Sequence, residues 1–235
     1  MSRHVDVLAV GAHVGDCEIA CGMALAAHVR QGMRVGMLHL TLGEKGHPTM
    51  PPQEYAEQRK AEAAASAEVF GAELYLFEYG DGELQPDDAV KHRIAQVIRE
   101  CTPAVVLTHW HGSMHRDHTA AALCMPDALF YAALPAFAQE AAAHRVRALY
   151  YAENWEDQSG FVPEVFLEIN EADLALWEEA ARKHALFRGE VSRFPYLDYY
   201  RSLARLRGCE IGCQYAVALA VPPWAHRRRV TSLVG

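Results

Sequence analysis

Over the first 108 residues the apolar positions switch between two periods. Runs at 5–11, 34–42, 74–77 and 104–108 are short and largely apolar, and they read as strands. Residues 16–31, 53–70 and 87–101 carry apolar side chains at helical spacing. The first of these sets Ile19, Met23, Ala26 and Ala27 on one side and ends at Gly32. The second is rich in Ala and Glu and closes at Gly71, where glycine suits a left-handed helix end. Strand and helix in strict alternation predict an α/β fold: a doubly wound, Rossmann-like, mostly parallel sheet with helices on both faces. The second half is less regular. Strands are expected at 147–152, 164–169 and 215–221, with helices at 171–187 and 197–207. No repeat, low-complexity linker or composition break divides the chain, so residues 1–235 read as one domain.

Composition narrows the function classes. Half the residues are apolar, 22% are charged and the formal net charge is −8. That balance argues against nucleic acid, which needs a basic stripe. The one basic run, 226–229, reads as a solvated tail or a subunit contact. No run approaches the ~18 apolar residues of a membrane helix, and no secretory pattern opens the chain, so a cytoplasmic protein is expected. A homo-oligomer is expected as well. The six cysteines form no Cys-x-x-Cys pair and read as reduced, mostly buried thiols.

Two clusters carry the candidate chemistry. Gly11-Ala12-His13-Val14-Gly15-Asp16-Cys17-Glu18 follows the first strand, and His115-Arg116-Asp117-His118 follows the fourth. In an open parallel sheet, ligands bind beyond the carboxyl ends of the strands. Two imidazoles and a carboxylate meeting there suffice for a zinc ion with one position left open for chemistry. The bland alternative is a set of solvated loop histidines and a helix cap in a chain with thirteen His. A third segment, Tyr150-Tyr151-Ala152-Glu153-Asn154-Trp155-Glu156-Asp157, also follows a strand. Its acids and aromatics suit a sugar site, with Glu153 and Trp155 as substrate contacts. Equally, it reads as a surface loop plugged by Trp155.

At these residues the chain resembles the LmbE/PIG-L family of zinc-dependent N-acetylglucosamine deacetylases. That family carries Ala-His-Pro-Asp-Asp-x-Glu, then Thr-x-Gly-Glu, Arg-x-x-Glu and His-x-Asp-His. This chain has Ala12 to Glu18, then Thr41-Leu42-Gly43-Glu44, Arg59-Lys60-Ala61-Glu62 and His115 to His118, in the same order. The resemblance implies His13, Asp16 and His118 as zinc ligands. It implies His115 as the group that steadies the oxyanion or protonates the leaving amine, with Asp117 holding it. Glu44 and Arg59 would line the site, and the substrate would be a small N-acetylated sugar derivative.

Two positions depart from the pattern, and Val14 in place of Pro is the milder. The general-base Asp of the family is Gly15 here, and losing such a base typically lowers the rate ~10²–10⁴-fold. Another carboxylate must then take the proton, with Glu44 expected ahead of Glu18. Asp81, Glu153, Glu156 and Asp157 are further candidates. Otherwise the substrate supplies the base, or the protein binds zinc and ligand without hydrolysis.

Overall fold

The computed structural model describes residues 4–137, 141–157 and 159–226. Its first strand, β1 (Val7–His13), is buried almost throughout, as an inner parallel strand must be. It pairs in parallel with β2 (Val35–Thr41) on one side and β4 (Val105–His109) on the other. β3 (Glu73–Tyr79) extends the sheet beyond β2, and β5 (Ala148–Ala152) extends it beyond β4. β7 (Tyr215–Ala220) then pairs antiparallel with both β5 and the edge strand β6 (Val165–Ile169). The order is therefore β3-β2-β1-β4-β5-β7-β6. The direction of winding reverses between β1 and β4, and the two sequence clusters leave the sheet at the carboxyl ends of these two strands.

Helices cover both faces. α3 (Asp88–Cys101) and α4 (Arg116–Ala133) bury one core, around Leu8, Leu38, Ile94, Ile98 and Met125. α1 (Gly22–Arg30), α5 (Glu171–Ala181) and α6 (Tyr196–Ile211) bury the other, with the end of α2 (Pro52–Phe70). Trp177 of α5 is fully buried against α1. Its indole N–H donates to the Glu18 carbonyl (2.9 Å), and a side chain at Gly22 would meet its ring at 2.7 Å.

Five local features differ from the expectation. The first helix opens with a π-helical turn, Cys17–Cys21, before the α-helix begins. α4 was not legible as a helix, because Pro126 interrupts its pattern. The helix runs through it regardless, with Ala120, Ala121, Cys124, Met125 and Ala128 buried on the sheet. α5 stops at Ala181 rather than 187, and the next residues turn inward. α6 and β3 are both longer than their periodicity indicated. Cys17, Cys21, Cys101 and Cys124 are buried free thiols, and Cys209 is exposed. Among the described residues no helix is long and apolar enough to cross a membrane. His226 pairs with Glu164 at 3.1 Å, and the arginines that follow it lie outside the described residues.

Candidate metal centre and its cleft

The loop after β1 folds back on itself because Asp16 caps it. The carboxylate accepts the His13 N–H at 2.7 Å, and the same oxygen lies 3.1 Å from His13 Nδ1. His118, in the first turn of α4, brings its Nε2 to 3.3 Å from that Asp16 oxygen. The three residues read from the two motifs thus meet at the switch point. His115 joins them, its ring 4.6 Å from that of His13 and 4.7 Å from that of His118. The donor atoms of His13, His115 and His118 lie within 4.8 Å of one another, as do those of Asp16, His109 and His118.

A ring of carboxylates stands behind these groups. His13 Nε2 lies 3.2 Å from Asp117 Oδ2 and 3.2 Å from Asp81 Oδ1. His118 Nδ1 lies 2.9 Å from Glu156 Oε2. Each imidazole therefore keeps one nitrogen on an acid and turns the other to Asp16, the arrangement that orients histidine ligands. Burial alone would lower the pKa of both rings, but Asp16 and the other acids outweigh it. His13 is held well above its ordinary value, and His118 is pushed up to about 9. Asp16, which burial would raise, is held well below the carboxylate range by His118, His13 and His109. A cluster that pulls protons onto its own imidazoles is one that draws positive charge. Its nitrogen and carboxylate donors suit zinc or a similar divalent ion.

The cleft over the cluster has a volume of about 230 Å³. Its acidic lining residues are Asp16, Asp81 and Glu156; Arg59 is the lining arginine. Tyr55, Trp155, Phe187 and Tyr196 supply aromatic walls.

Several expected residues sit differently from their assigned tasks. The Asp117 carboxylate faces His13 rather than His115. It also accepts the Gly82 and Leu84 N–H groups (2.7 and 3.3 Å), which orient it from the β3–α3 loop. His115 Nδ1 instead accepts the Asp117 backbone N–H and starts α4. Glu44 is absent from the cleft lining: its carboxylate accepts the Asp81 N–H at 3.0 Å and steadies that turn. Glu18 is fully buried on His184 (2.9 Å), away from the cleft. Arg59 does reach the cleft but is 2% exposed, and it donates to the carbonyls of Val14 and Leu42 and to Glu62. Glu153 is drawn off by Arg207 (2.9 Å) toward α6. Trp155 lines the cleft and stacks on Phe194, with ring centroids 4.5 Å apart.

Other members of the site were not singled out from sequence. Glu156 was one acid among six candidates. His109 is buried with its Nε2 3.2 Å from Asp16, and burial together with His118 brings its pKa down to about 4. Phe187 and His184 lie in the region without motifs and had no local signal at all.

An open α/β sheet with a histidine–aspartate cluster at its switch point is the architecture of enzymes that work at the strand ends, with a candidate metal site there. Residues 8–129, half the chain, match the family described as PIG-L: GlcNAc-PI de-N-acetylase, and the chain belongs to that family. It is similar to diacetylchitobiose deacetylase of Thermococcus kodakarensis, at 29% identity over 83% of this chain and 82% of that protein. It is also similar to 4-oxalmesaconate hydratase of Pseudomonas putida, at 26% identity over 86% of this chain and 80% of the relative. Among solved structures, the conserved protein TT1542 of Thermus thermophilus superposes with a TM-score of 0.81. It is 28% identical, with 93% of this chain and 94% of that one covered.

Proposed function

We propose that this protein is a zinc-dependent hydrolase that removes the N-acetyl group from a small N-acetylglucosamine-type sugar derivative. The observation that carries the reading is the convergence of His13, Asp16 and His118 on one point beneath an open cleft. His13, Asp16 and His118 would hold the ion. When bound, such an ion polarises a carbonyl and lowers the pKa of water toward ~7. Asp117 and Asp81 keep His13 turned to its task, and Glu156 does the same for His118. His115, at the cleft wall, would support charge on the acyl oxygen or hand a proton to the leaving nitrogen.

The base must be a carboxylate outside position 15. Asp81 has both oxygens engaged, one by His13 and the other by the Lys45 N–H (2.9 Å). Glu156 lines the cleft, and its Oε2 is engaged by His118. Glu156 is therefore the favoured proton acceptor, with Glu44 positioning Asp81 from behind. Aromatic walls and a cleft of this volume support a single sugar ring as the bound unit.

A second reading has its own support. Gly15 carries no carboxylate and has a φ of +100°, a conformation that side chains rarely adopt. A protein that adds water to a conjugated oxo acid, as the name of the Pseudomonas putida relative indicates for that enzyme, has no amide to cleave. One panel separates the two. N-acetylglucosamine conjugates are assayed for free amine, and conjugated oxo acids for loss of ultraviolet absorbance. Amine release supports the first reading. Absorbance loss with no amine overturns it in favour of the second.

A further inference from the structure

Gly15 sits inside the ligand loop, between His13 and Asp16. A Cβ placed on it would lie 3.0 Å from Phe187 Cζ, 3.3 Å from Phe187 Cε2 and 3.1 Å from Arg59 Nη2. Phe187 is buried and lines the same cleft as His13 and Asp16. Its ring edge therefore closes directly on the backbone of residue 15, with no side chain between them.

A buried clasp sets the position of that ring. The Phe187 N–H donates to the His184 carbonyl at 3.1 Å. His184 is fully buried, with Nε2 2.9 Å from Glu18 Oε1 and Nδ1 3.6 Å from Glu62 Oε2. Glu62 also accepts the Ala185 N–H (3.1 Å) and an Arg59 N–H (3.0 Å). Glu18 belongs to the turn that continues from Asp16. The segment bearing Phe187 and the loop bearing Asp16 are thus tied through buried ionic side chains.

We propose that Phe187 is a specificity-determining residue: its ring, closed against Gly15, forms the apolar wall of a slot beside the metal ligands that admits a two-carbon acyl group and excludes longer ones. This rests on the acyl-hydrolysis reading above. The ring edge, 3.0 Å from where a Cβ on residue 15 would stand and itself part of the cleft wall, closes that side of the cleft, so added methylenes would have to displace it. Each methylene in such a pocket changes discrimination about 10–200-fold.

The test compares zinc-loaded wild type, Phe187→Leu and Phe187→Ala on N-acetyl, N-propionyl and N-butyryl glucosamine, with free amine as the readout. The butyryl-to-acetyl ratio of kcat/KM should rise at least about tenfold in Phe187→Ala and less in Phe187→Leu. Metal content should stay near that of wild type. An unchanged ratio in a folded, metal-loaded variant overturns the slot while leaving the hydrolase reading intact. A metal-loaded wild type that releases amine from none of the three overturns that reading and the slot with it. A thermal double-mutant cycle of Gly15→Ala and Phe187→Leu checks the contact without substrate. The Gly15→Ala penalty should shrink when Phe187 is already Leu, and equal penalties in both backgrounds overturn the proposal.

Discussion

At the scale of single residues, the cluster separates two kinds of acid. Asp16 faces the point where the imidazoles meet, whereas Asp81, Asp117 and Glu156 stand behind those imidazoles or beside the cleft. Replacing Glu156 by Gln keeps a hydrogen-bonding partner near His118 but removes the proton acceptor. The variant should retain its metal by elemental analysis and lose about 10²–10⁴-fold in kcat. Glu44→Gln, acting only through the Asp81 turn, should lose far less; equal losses would return the base to Glu44. Gly15→Asp is the variant that motif comparison alone would offer as restorative. The contacts of Gly15 reverse that expectation. A φ of +100° and a Phe187 ring at the Cβ position should destabilise the protein by about 1–3 kcal/mol, read as a lower Tm, with no gain in turnover. A Gly15→Asp protein as stable as wild type would show that the ring yields easily.

At the scale of elements, the clasp between α2, the turn after Asp16 and the segment beyond α5 makes a statement about acid stability. Burial would raise the pKa of Glu62. The bonds from His184, Gln58, the Ala185 N–H and Arg59 more than offset this and bring it down to about 2, from an ordinary 4.5. A carboxylate depressed on folding stabilises the native state fully above its unfolded pKa, and that contribution fades as pH falls from about 4.5 through about 2. The magnitude is on the order of 2–3 kcal/mol. Denaturant melts of wild type and Glu62→Gln should therefore differ at pH 6 and converge toward pH 2. Parallel curves across that range would mean that the clasp is not ionic.

At the scale of the whole molecule, the site exists only where three distant segments meet: the β1 loop, the start of α4 and the segment around Glu156. An ion bound there links them and should stabilise the fold by mass action. Stripping metal with a chelator should lower the Tm, and added zinc should restore it. His118→Ala should abolish this response to zinc and reduce the bound metal well below one equivalent. A Tm indifferent to chelator and zinc in wild type would remove the metal centre from the account.

The α/β class, the parallel half of the sheet and the positions of the two histidine–aspartate motifs were legible in the chain itself. Each depends on local periodicity or on spacing within a few residues, and β1 and β4 are continuous apolar runs because both of their faces are covered. What lay beyond the sequence depends on contacts between distant segments. Asp117 faces His13 rather than its near neighbour His115 because the β3–α3 loop turns its carboxylate with two backbone N–H groups. Pro126 sits within a helix because the sheet buries the alanines around it, and that packing outweighs one missing hydrogen bond. The roles of Glu156, His184 and Phe187 could not be read from residues 150–190, since each is defined by a partner 38 to 172 positions away. Periodicity is a property of neighbours in the chain; the chemistry of the cleft is a property of neighbours in space.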